Sequence, residues 1–137
     1  MINLRSSICA RRRPLNPEVL RELGVASDSA FARFYERYEG PFSSINTGFC
    51  LLDVQPFDPL GSVLDSTGHV RRQLDWPARF LVITDMLCHG VYVYDTASGK
   101  VFNVDFEGGH EALVAGELPP EHDSFEDFLA WYFEGCY

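Results

Sequence analysis

Apolar and polar residues alternate most regularly between Arg79 and Phe106, where the chain reads RFLVITDMLCHGVYVYDTASGKVFNVDF. Three runs there repeat with the period of two that lets a strand show different faces to its two sides. Phe80, Val82 and Thr84 oppose Leu81 and Ile83; Val91 and Val93 oppose Tyr92 and Tyr94; Val101 opposes Phe102. Between the second and third runs, Asp95-Thr96-Ala97-Ser98-Gly99 offers an Asx-turn acceptor and a glycine able to take positive φ, which predicts a hairpin. The first connection, from Asp85 to Gly90, is longer and less polar; a folded-over loop and an extension of the flanking strands are both open for it. Thr47 to Asp53 reads as a further strand.

Elsewhere the period changes to that of a helix. Asn16-Pro17-Glu18 combines a capping side chain, a proline at the first helical position and an acid in the first turn, and Gly24 ends the short stripe of Val19, Leu20 and Leu23. Ser27 or Asp28 would cap a second helix, whose Phe31, Phe34, Tyr35 and Tyr38 share one face before Gly40-Pro41; such a stripe docks on a sheet. Ser124 with Asp127 approximates a capping box for a last helix carrying Phe125, Phe128, Leu129 and Tyr132. The stretch from Gln55 to Trp76 looks irregular, with a weak strand or short helix near Ser62 to Ser66. Its Arg71 and Arg72, beside His69, would neutralise nearby carboxylates. Helices, then strands, then a helix predict an α+β fold: a largely antiparallel sheet of about 4–6 strands, with N-terminal helices and a C-terminal helix on it and the other face or an edge open. The expected organisation is a basic leader over residues 1–15 and a single domain over 16–137.

At 137 residues and 46% hydrophobic, the chain can bury roughly two-thirds of its extended surface without disulfide support. Charge changes the picture more. Residues 1–40 hold seven arginines against five acids, residues 41–137 hold four basic residues against fifteen acids, and nothing basic follows Lys100. The formal charge of −9 argues against nucleic acid and anionic membranes as partners and for basic proteins. No apolar stretch approaches the roughly 20 residues needed to span a bilayer, and the N-terminus lacks the apolar core of a secretory signal. The expected location is cytoplasmic.

Candidate chemistry is sparse. Cys9, Cys50, Cys88 and Cys136 form no CxxC pair and read as free thiols. Cys88-His89 and His110-Glu111 are adjacent pairs, but neighbours on a strand point to opposite faces, which works against joint metal ligation. Neither a metal nor a cofactor is expected. Catalysis by His89 or His110 with a carboxylate would require a concave pocket and perturbed pKa values, and the reading here is of a protein without chemistry of its own.

The order of elements carries a resemblance. The aromatic helix FARFYERYEGPF, the FLVI strand, the VYVYDTASGKVFNVDFE hairpin and the closing SFEDFLAWYF helix together resemble the SUKH superfamily over roughly Ser27 to Phe133. That superfamily includes fungal cell-wall synthesis regulators and bacterial immunity proteins that neutralise polymorphic toxins, often nucleases. The chain departs from it at Ala26-Ser27-Asp28, where a Leu-Pro pair is usual, and at Val104, where tryptophan is frequent. The resemblance implies an immunity protein that occupies a toxin's basic cleft through complementary charge, or an adaptor in a regulatory or cell-wall signalling complex. Asp105, Glu107, Glu111, Glu117, Glu121 and Asp123, clustered in loop-forming sequence after the hairpin, are the expected partner-binding acids.

Overall fold

The computed structural model describes residues 9–43, 49–55, 62–85 and 90–134, with backbone alone for 9, 10 and 134. The elements are β1 (Cys9–Ala10), α1 (Pro17–Leu23), α2 (Ala30–Arg37), β2 (Tyr38–Glu39), α3 (Val63–Leu74), β3 (Phe80–Val82), β4 (Gly90–Asp95), β5 (Val101–Asp105), α4 (Gly109–Ala115) and α5 (Phe125–Glu134).

The meander stands where the alternation places it. β3, β4 and β5 form an antiparallel sheet in that order, with Leu81 opposite Tyr94 and Tyr92 opposite Asn103. In the hairpin turn, Asp95 accepts from the Ala97 N–H and the Ser98 hydroxyl, and Gly99 has a φ of 78°. Gly90 lets the β4–β5 pair close: a Cβ there would lie 2.8 Å from the Asp105 Cα and would also meet the Val104 carbonyl oxygen.

Alternation sorts the strands into two cores. Leu81, Ile83, Tyr92, Tyr94 and Val101 join α1, α2 and α5, where Phe31 stacks on Tyr94 at 4.7 Å and packs against Phe125 at 4.9 Å. Phe80, Val82, Val91, Val93, Phe102 and Val104 join Val70 of α3, Trp76 and Leu113 of α4. Both faces of the sheet are therefore covered, and the expectation of an open face is corrected. On that second face α4 escaped the hydrophobic pattern, while α3 starts where a weak strand or short helix was open, near Ser62 to Ser66, but runs on to Leu74 through a stretch expected to be irregular. α3 buries only Val63, Thr67 and Val70, and Thr67 is polar because its hydroxyl accepts the Val82 N–H on the outer side of β3. α4 buries only Gly109 and Leu113.

Among the described residues the sheet has three strands, with a separate two-residue ladder between β1 and β2, fewer than the expected 4–6. Within the expected strand at 47–53, residues 47 and 48 lie outside the described residues. The remainder distributes its hydrogen bonds among several partners: Leu51 exchanges bonds with Phe42, the Leu52 N–H goes to Ile83, and the Asp53 carbonyl accepts from Val63. Isolated bridges result instead of a ladder. α1 keeps its Asn16 cap and its Gly24 stop. Ser29, not Ser27 or Asp28, caps α2, because its Oγ reaches the Ala32 N–H. Tyr38 leaves the helix for β2, so only Phe31, Phe34 and Tyr35 of the stripe are helical.

Candidate functional site

The predicted acids lie on the segment that joins β5 to α5. Asp105 ends β5, and its Oδ1 accepts from the Glu107 and Gly109 N–H groups at 2.9 and 3.3 Å, an Asx-type start to α4. Glu107 follows in that turn and Glu111 sits in the first turn of α4, where the helix dipole favours an acid. Glu117 follows the left-handed Gly116 that closes α4. Glu121 and Asp123 flank His122. All six are exposed. They fall into two groups, one at the entrance of α4 and one beside the outer edge of β5, with Glu117 between them in the chain.

The second group is tied to the sheet by backbone and side-chain bonds. Val101 donates its N–H to the His122 carbonyl at 3.0 Å, and its own carbonyl accepts from Glu121 and His122 at 2.9 and 3.1 Å. Glu121 accepts the Tyr92 hydroxyl at 2.6 Å. The His122 ring packs against Trp131 and Phe128 with centroids 5.2 and 5.5 Å apart, and its Nε2 lies 3.8 Å from the Glu121 carboxylate. Burial pushes the His122 pKa down, opposed by the charges of Glu121, Asp127 and Asp123. His122, Asp127 and Trp131 are the parts sequence reasoning missed here. A signal existed for them: His122 stands between two acids, and Asp127 is one helical turn from Trp131.

The arginines are engaged elsewhere. Arg11, with its side chain 5% exposed, lies 2.5 Å from Asp53, which is 2% exposed. It also donates to the Tyr35 carbonyl, while Arg13 approaches Asp53 and Glu39 at 3.6 and 3.5 Å. Burial raises the Asp53 pKa against the pull of Arg11; Glu39 is lowered, first by the Arg13 N–H and then by the Arg13 and Arg11 charges. Arg21 pairs with Glu18 and Arg79 with Asp95. Arg71 and Arg72 do not take the expected neutralising role in the ion pairs of the described residues; Arg71 donates to the Ala78 carbonyl below the C-terminus of α3.

Of the two histidines considered for catalysis, His89 lies outside the described residues. His110 faces the Phe106 ring and lines, with His69, Val70, Gln73 and Leu74, an open groove of about 200 Å³ between α3 and α4. Among the described residues no carboxylate is hydrogen-bonded to it, and its Nδ1 is buried without a partner. Cys50 is a half-buried free thiol whose pKa is raised by burial and by Asp85. Cys88 and Cys136, and the side chain of Cys9, lie outside the described residues. Among the described residues no three His, Cys, Asp or Glu side chains gather as a metal would require, and no helix is long and apolar enough to cross a membrane. Comparisons with protein-family models, with curated proteins and with solved structures find no match for this chain.

Proposed function

We propose that the protein is an intracellular binding module of SUKH type, most concretely an immunity protein that blocks a basic toxin domain through the acidic flank between β5 and α5. The observation that carries this reading is the exposure of all six acids while the ion-paired arginines of the described residues engage Glu18, Glu39, Asp53 and Asp95 instead. Exposed carboxylates without cationic neighbours create the negative field that steers a basic surface into contact. With both sheet faces covered by helices, the contact surface is the loop flank and the outer side of α4.

Affinity capture from the native host at low salt tests the reading. The expected catch is a basic protein released by salt, whose toxic activity an equimolar amount of the captured chain abolishes. Glu117→Lys with Asp123→Lys is the cleaner charge reversal, because Glu121→Lys would also break the Tyr92 bond. The double variant is expected to associate at least about tenfold more slowly at low salt. Unchanged association would remove the acidic flank from the interface, and capture of a non-toxic regulatory protein would favour the adaptor.

A further inference from the structure

We propose that His122 is a pH-sensitive latch that holds the acidic segment 121–123 against the outer edge of β5 and lets it go on mild acidification. The alternation of hydrogen bonds in the β4–β5 pair sets the frame. Asp95 donates to the Lys100 carbonyl, so Val101, Asn103 and Asp105 turn their backbone groups away from β4. Such an edge is a template for pairing with other chains unless something covers it. Glu121 and His122 cover it at Val101 with three backbone hydrogen bonds, and Val101 and His122 form an antiparallel bridge.

The side chain of His122 anchors this cover. It is 12% exposed and lies among Trp131, Phe128 and Tyr92. Its Nε2 is buried and has no hydrogen-bond partner. The nearest carboxylate oxygen, on Glu121, is 3.8 Å away and already accepts the Tyr92 hydroxyl. A neutral imidazole fits this slot as a flat, largely apolar ring. An imidazolium there would bring a second N–H without a bonded acceptor.

The charged and titratable groups facing the ring are Glu121 and Asp123 on the segment itself, Asp127 on α5 and Tyr92 on β4, and β5 meets the segment through the Val101 backbone. The three carboxylates favour the charged ring, burial opposes it, and burial is the larger effect. The docked segment therefore binds the proton less readily than the released one. Its stability is complete above the ordinary histidine pKa of about 6.5 and falls as the pH drops below it. Between that value and the lower docked one, the opening constant rises by up to about tenfold per pH unit. Opening is local, since β3 and the β4–β5 ladder are held by other contacts.

Amide hydrogen exchange of the full chain, followed by NMR from pH 7.5 to 5.0 and corrected for intrinsic rates, tests the latch. The Val101, Glu121 and His122 amides are expected to lose protection together on acidification, while the Phe102 amide holds. His122→Gln is expected to abolish that pH dependence, and its survival in this variant would overturn the proposal, as would unchanged protection of Val101 in the parent chain. If His122→Gln does not fold, Glu121→Gln decides: losing a carboxylate that favours the docked imidazolium must enlarge the acid-induced loss of Val101 protection and extend it to lower pH, and an unchanged or smaller loss refutes the latch.

Discussion

Near the start of the described chain Arg11 is buried against Asp53, and Arg13 and Glu39 close around the pair; near its end Glu117 and Asp123 stand in water. One region uses charge to hold β1 and the residues after it onto the body, joining residues 11, 13, 39 and 53. The other leaves charge available for something outside. The difference teaches that sign and number of charges do not assign their role: the arginine-rich segment works inward, and the acid-rich one faces outward. Desolvation separates the two cases, because a buried ion must be matched while an exposed one is solvated.

Breaking the inward half should give the largest effect. Arg11→Ala strands Asp53 in the interior and is expected to destabilise the fold by about 3–5 kcal/mol in urea unfolding, whereas Arg11→Met with Asp53→Leu should recover most of that loss. A loss below about 0.5 kcal/mol for the single variant would place Arg11 among ordinary surface charges and dissolve the contrast.

A smaller effect separates the two acids within the cluster. Glu39 is held below its ordinary range by the Arg13 N–H and the neighbouring guanidinium charges. Its folded state therefore favours the carboxylate, and that stabilisation is present above the unfolded pKa of about 4.3 and is lost as the pH falls from there through the lower folded value. Asp53 is raised by burial, so its own contribution grows as the pH falls toward its unfolded value. Glu39→Gln is expected to flatten the acid limb of the stability profile, and a steeper limb would show that Asp53 governs the cluster instead.

How much of this could be read beforehand follows from where the information resides. The meander, the hairpin turn at Asp95–Gly99, α1 and α5 were legible because each is written in a local period with local caps: Asn16 binds the Glu18 N–H, and Ser124 binds the Asp127 N–H. α3 was legible at most as a short helix near Ser62 to Ser66, since its inward positions farther on include Thr67, whose burial makes sense only once Val82 lies opposite. The same holds for Arg11, which reads as part of a solvated basic leader until β1 pairs with β2 and brings it to Asp53. Within the candidate site the acids themselves were named from their sequence. Their division into an α4 entrance and a β5 edge was not, because it depends on His122 meeting Val101 across 21 residues of chain.

The outward half should give the smallest response, and that smallness is its test. Glu117→Gln and Asp123→Asn remove charges to which no hydrogen bond or ion pair is assigned among the described residues, so each is expected to change unfolding stability by no more than about 0.5 kcal/mol. Where the change is measurable it should be a gain, because neighbouring carboxylates repel one another, and the gain should shrink in high salt as the repulsion is screened. Glu121→Gln marks the boundary of the rule, since this acid also accepts the Tyr92 hydroxyl and loses a charge-assisted hydrogen bond when neutralised. A loss above about 1 kcal/mol for Glu117→Gln or Asp123→Asn would mean that these carboxylates are held by the fold as Asp53 is, and the acidic flank would then be structure rather than a surface kept for a partner.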